Sequence, residues 1–168
     1  MRIVVALQLL SALMLTEIGG VHALPPPSAA SRHARSYVLR LRPGDDLLAG
    51  LRTFAREQRL QAAYVASCAG SATRTSVRFA NQPAASVREG HFEVVSLSGT
   101  LSADGAHVHV AFADSTGATF GGHLMDGTRI YTTAEIVLVE LSDLRFAREV
   151  DSTYGYHELV PLPRGGHR

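Results

Sequence analysis

Apolar and polar positions along this chain follow two periods. Tyr37, Leu39 and Leu41 alternate with Val38, Arg40 and Arg42, which predicts a strand over 37–42 with one wet face. Over 46–60 the period becomes helical. Leu47, Leu48, Leu51, Phe54 and Ala55 make one apolar stripe, and Arg52, Arg56, Glu57 and Arg59 face away from it. Pro43-Gly44-Asp45-Asp46 supplies a turn and a helix N-cap, with acids placed well for the helix dipole. Two short strands are expected over 63–69 and 73–80, separated by Gly70-Ser71 and followed by a polar loop over 81–88. Four more follow over 92–101, 107–113, 119–124 and 132–141, joined by Asp- and Gly-containing turns. Such short connections favour antiparallel neighbours. The pattern therefore predicts a single α+β domain, mostly antiparallel β-sheet with one main amphipathic helix.

The two ends carry different signals. Arg2 followed by the apolar run 3–15, then Val21-His22-Ala23, has the layout of a signal peptide over residues 1–23. The run is shorter than the ~20 residues of a bilayer span. A mature chain starting near Leu24, periplasmic or secreted and without a membrane span after cleavage, is the expectation. Residues 24–35 read as a Pro/Ser-rich linker, 36–160 as the folded domain, and 161–168 as a flexible tail. The stretch 143–160 is mixed in pattern.

Composition narrows the function classes. With 46% apolar residues in 168, the chain can bury a proper core. Its basic charge is all arginine, and the net charge is +1. Between Tyr37 and Leu162, however, 11 arginines face 14 acidic residues, a net of −3. A domain of that sign lacks the field on which nonspecific phosphate binding relies. Cys68 is the one cysteine, so no internal disulfide forms, and it reads as a buried small hydrophobe.

The chemistry concentrates in 106–124, AHVHVAFADSTGATFGGHL. On a strand, residues i and i+2 share a face, so His107 and His109 point one way and Val108, Val110 and Phe112 the other. The two histidines lie ~6.6 Å apart at Cα, close enough to converge on one ion. A turn after Ala113 returns the chain so that His123 can supply a third nitrogen from the next strand. Three neutral imidazoles make a divalent-metal site that suits Zn²⁺, with Ni²⁺, Cu²⁺ and Fe²⁺ also open. Three protein ligands leave a fourth position free, as in catalytic rather than structural zinc. The plain alternative is a polar strand face hydrogen-bonded to its neighbours.

With these strands in place, the chain resembles a known family over about residues 36–160. The matching stretches are YVLRLRPGDD at 37–46, GHFEVVSLSG at 90–99, HVHVAFADS at 107–115, Gly121-Gly122-His123-Leu124 and TAEIV at 133–137. They look like the PPC domain, "plant and prokaryote conserved". The resemblance implies an α+β fold around an antiparallel sheet, a homotrimer, and a metal held by histidines at the positions of His107, His109 and His123. Plant members bind AT-rich DNA through a basic hook outside this domain, and no such hook occurs here.

Other residues are weaker candidates. Glu93 and Glu135 are candidates for a catalytic base or for partners of the metal-bound imidazoles. Gly121 and Gly122 remove bulk where an ion, a ligand or another subunit approaches. Arg74 and Arg78 could receive an anion, although a solvated sheet face is the plainer reading. Tyr131, Thr132 and Thr133 read as ordinary strand residues, and His91 and His157 as solvated. The expected function is a trimeric, exported module binding metal and a small ligand, with an anion among the expected partners. A zinc-dependent hydrolase or lyase acting on a small anion is the alternative, and nucleic-acid binding is disfavoured.

Overall fold

The computed structural model describes residues 27–165. The expected signal peptide and residues 24–26 lie outside that range. Eight strands and one helix follow in the order β1 (Ala34–Leu41), α1 (Leu47–Glu57), β2 (Ala63–Arg78), β3 (Ser86–Ser102), β4 (Gly105–Ala113), β5 (Thr119–Leu124), β6 (Arg129–Leu141), β7 (Leu144–Val150) and β8 (His157–Pro163). All named strand pairings are antiparallel. The expected α+β class therefore holds. Among the described residues no helix is long and apolar enough to cross a membrane.

The helix starts where its cap chemistry places it. The Asp46 carboxylate accepts the Ala49 N–H at 3.0 Å, and its second oxygen accepts the Gly127 N–H at 2.6 Å. One side chain thus caps α1 and ties it to the turn before β6. Leu47, Leu48, Leu51 and Ala55 are buried. The helix ends at Glu57, earlier than the apolar pattern suggested, because Arg59 turns left-handed at φ 53°. The Leu60 N–H then bonds the Ala55 carbonyl at 2.9 Å, and the Arg59 N–H bonds Arg56 at 3.0 Å. This is a Schellman closure with buried Leu60 as its apolar plug.

The largest departure from the sequence pattern is β2. Two strands broken at Gly70-Ser71 were expected, and one continuous 16-residue strand is found. Gly70 does not turn the chain. A Cβ there would lie 2.4 Å from the Thr133 carbonyl oxygen, so glycine is needed for close approach to β6. Register shifts along the β2–β6 pairing at 65–67, 70–72 and 72–74 bend this strand. Similarly, β3 begins at Ser86, inside the expected loop, and pairs back on Val77.

The main sheet runs β1-β6-β2-β3-β4-β5, and β5 also pairs with β2. Strands β2, β3, β4 and β5 therefore close on themselves. The closing contacts are Val77 with Leu124 and Arg78 with His123. Inside lie Val77, Leu97, Leu101, Val108, Val110, Phe112 and Leu124, all buried. A buried Val, Leu or Phe side chain contributes ~1.5–3 kcal/mol, so the inward face of β4 alone holds this wall firmly.

Both expected ends of the domain need correction. Ala34 and Arg35 already belong to β1, and the Asp143 carboxylate accepts the Arg32 N–H at 2.8 Å and the Ser31 hydroxyl. The last part of the linker is thus docked. The mixed stretch after 143 is a hairpin, β7–β8, which runs through Pro163 into the supposed tail. The Phe146 N–H donates to the Gln61 carbonyl at 2.9 Å, and Arg164 lies 3.5 Å from the buried Glu140 carboxylate.

Candidate metal centre

Strand geometry alone brings the three histidines together. On β4 the inward positions Val108, Val110 and Phe112 are buried, which forces His107 and His109 outward. The Asp114–Gly117 turn is built by the Asp114 carboxylate, which accepts the Thr116 N–H at 2.8 Å and the Ala118 N–H at 3.1 Å, with Gly117 at φ 83°. It returns the chain so that His123 falls directly opposite His109. Directly opposed residues on antiparallel strands share a face.

The resulting cluster is tight. One nitrogen from each of His107, His109 and His123 lies within 4.8 Å of the others. Ring centroids are separated by 5.1 Å (His107–His109), 5.0 Å (His107–His123) and 4.5 Å (His109–His123). His107 Nε2 and His123 Nδ1 are 3.2 Å apart. Two nitrogens held ~2.0–2.1 Å from one tetrahedral Zn²⁺ would be separated by about 3.3 Å. The donor set and its spacing thus fit a divalent ion that prefers imidazole.

The surroundings of His107 and His123 favour their ligating form. Partial burial pushes the His107 pKa below its ordinary value, helped by His109 and Arg148 and opposed by Glu158. The His123 pKa is also lowered, first by burial and then by Arg78. Neutral imidazole is the form that binds metal.

Beside the rings lies a cleft of ≈ 720 Å³ whose lining includes His107, His123, Arg78, Arg148, Tyr156, His157 and Glu158. Its floor is the β4–β5 wall. Four of these residues come from the β7–β8 hairpin and its turn, which form the roof. Sequence reasoning did not find Arg148, Tyr156 or Glu158, and it left His157 in solvent. No local spacing links these residues to the histidines, because a separate hairpin carries them.

The remaining candidates are placed elsewhere. Glu93 pairs with Ala113, at the far end of β4 from His107. Glu135 lies on β6, opposite Arg40 and Ala69, and β3 and β2 separate it from β4. Neither carboxylate joins the histidine cluster among the described residues. Arg74 is paired with Glu89 at 3.1 Å and does not line the cleft, whereas Arg78 does. Gly121 and Gly122 admit backbone rather than an ion. A Cβ on Gly121 would lie 2.4 Å from the Val110 carbonyl oxygen, and one on Gly122 would lie 2.6 Å from that of Arg78. Tyr131 packs at a tilt against His91 with ring centroids 4.4 Å apart, Thr132 bonds Ser71, and Thr133 accepts from Arg40. Cys68 is half-buried, and burial pushes its thiol up to about 11, as an inert thiol requires.

A curled antiparallel sheet with three imidazoles on its outer face defines a class of β-rich domain with a metal-ready surface. Residues 28–142 match the Plants and Prokaryotes Conserved (PCC) domain, and the chain belongs to that family. It is 45% identical over 141 residues to the "Bifunctional protein GlmU" of Synechococcus sp. (strain JA-3-3Ab), covering 84% of this chain and 23% of that protein. Among solved structures, a hypothetical protein from Salmonella enterica is 43% identical with a TM-score of 0.79, over 81% of this chain and 98% of the other. A metal-containing protein from Archaeoglobus fulgidus shares the fold at 24% identity and a TM-score of 0.64, over 81% and 99% of the two chains. So does a Bacteroides thetaiotaomicron protein named as a candidate for DNA binding, at 19% identity and a TM-score of 0.65, over 74% and 90%.

Proposed function

We propose that this protein is an exported, trimeric PPC-domain module that binds zinc and a small ligand. The convergence of three imidazole nitrogens within 4.8 Å carries the reading. The fold-mate described as metal-containing supports it. His107 and His109 from β4 and His123 from β5 would hold the ion. When bound, zinc supplies a positive charge and an open coordination position to a ligand in the cleft. The chain's own part is to favour neutral His107 and His123, fix the three rings through the buried face of β4, and roof the cleft with β7–β8. Export is supported by the signal-like residues 1–23. Self-association is supported by the family resemblance and by large apolar side chains left exposed on the sheet, Val38 at 80% and Val95 at 58%.

Elemental analysis of the purified chain should find about one divalent ion per chain, as three ligands from one chain require. A His107→Ala/His109→Ala variant should lose it while keeping the wild-type circular dichroism. A metal-free wild type that resists zinc loading would defeat the proposal. One observation favours turnover as a second reading: Glu158 is a carboxylate in the same cleft, able to take a proton there. If the chain were a hydrolase or lyase, Glu158→Gln would abolish turnover and leave zinc content intact. Binding to duplex DNA is disfavoured by the −3 charge of residues 37–162.

A further inference from the structure

We propose that Arg78 and Arg148 form an oxyanion subsite in the cleft beside the three histidines, so that the ligand is a small molecule carrying a carboxylate or phosphate group. The inference rests on the metal-and-ligand reading above and names the chemistry of its ligand.

Register places both guanidiniums. Arg78 is the cross-strand partner of His123 where β2 closes on β5, so the two side chains share a face. Arg148 reaches from the roof and donates to the Thr100 hydroxyl at 3.3 Å. Thr100 is in turn the register partner of His107 across β3–β4. Two separate pairings thus set one arginine beside each of two proposed ligands, and both arginines line the same cleft.

Their donors are largely unspent. Arg78 donates to the Gln82 carbonyl at 3.4 Å, and Arg148 makes only its bond to Thr100 among the described residues. Each guanidinium has five N–H donors. Among the described residues no carboxylate lies within ion-pairing distance of either, whereas Arg52, Arg74, Arg129 and Arg164 each have an acidic partner. Glu158 also lines the cleft and offsets one of the two charges, which leaves a net positive wall even without a metal. Guanidinium forks match the planar or tetrahedral oxygens of carboxylate and phosphate. A ligand with an oxyanion at one end and a donor at the other would span from the arginines to the imidazoles. The roof supplying Arg148 begins after residue 142, where the family match ends. The inference therefore assigns metal binding to the family core and part of ligand selection to the hairpin.

The test is calorimetric titration of inorganic phosphate and of malonate into the full chain, both zinc-loaded and metal-free. Arg78→Gln, Arg148→Gln and the double variant are run beside the wild type. Saturable binding of one anion by the zinc-loaded wild type is expected, weakened about tenfold or more by each substitution, the size of a lost charged hydrogen bond. Arg148→Lys, which keeps the charge and loses the fork, should fall in between. Zinc loading, read separately by competition with a chromophoric chelator, should persist in the glutamine variants, with any change in affinity well short of the tenfold lost by the anion. Equal anion affinity in the double variant and the wild type, or no saturable binding of either anion, overturns the subsite. Failure to load zinc would instead sink the metal reading, and the metal-free titrations would still be expected to show arginine-dependent binding. The tighter anion names the ligand's group.

Discussion

The wall and the roof of the cleft are built in opposite ways. The wall, β4 and β5 closed onto β2, has its inward side chains fully packed, and its histidines are a by-product of which face is left over. The roof, β7–β8, buries little: Val150, Tyr154 and Tyr156 are 61%, 82% and 69% exposed. A few polar ties hold it, from Phe146 to Gln61, Arg148 to Thr100 and Arg164 to Glu140. The difference teaches that imidazole geometry is protected by core packing, while the groups that would meet a ligand sit on a lightly anchored element. Such division lets one region stay fixed while the other varies.

The comparison is broken most severely from inside the wall. Phe112→Ala removes the largest fully buried side chain and should cost ~3–5 kcal/mol, read as a lower denaturant midpoint and loss of zinc together. A variant that kept zinc affinity at that destabilisation would show that packing does not set the site. Next, Gly122→Ala puts a Cβ 2.6 Å from the Arg78 carbonyl oxygen. Prising β5 from β2 should cost ~1–3 kcal/mol, as overpacking does, and should weaken zinc while leaving the roof's amide shifts unchanged.

The smallest effect sits where the linker meets the start of the roof. Bonds from the Arg32 N–H and the Ser31 hydroxyl hold the Asp143 carboxyl at about 2. A depressed carboxylate contributes above its ordinary range and loses its contribution as pH falls through its folded value. Docking of residues 31–32 should therefore persist at pH 4 and fade near pH 2. The Arg32 amide shift would report it, and a flat profile over that window would count against the tether.

What the sequence disclosed divides along the same line. The His107/His109 pair was legible because its spacing is local, and β4's inward face was legible because Val108, Val110 and Phe112 alternate with it. The α1 start was legible through Asp46. Gly70 misled, since a glycine serving close strand approach looks like one serving a turn. The Arg78–His123 pairing was not legible, because closure of β5 onto β2 depends on how far a bulged strand curls. Nor was the roof: Arg145, Phe146, Ala147 and Arg148 alternate only weakly, with much of their surface in water.

That closure also has a meaning in time. Joining Arg78 to His123 brings together residues far apart in the chain, and such long-range pairing forms only after loop-closure entropy has been overcome. The three imidazoles come together earlier, in the local β4–β5 hairpin that sets His123 opposite His109, whereas Arg78 reaches His123 only when the ring of strands shuts. Zinc capture during refolding should accordingly come before Arg78-dependent anion binding, whose appearance is a clock for completion of the fold.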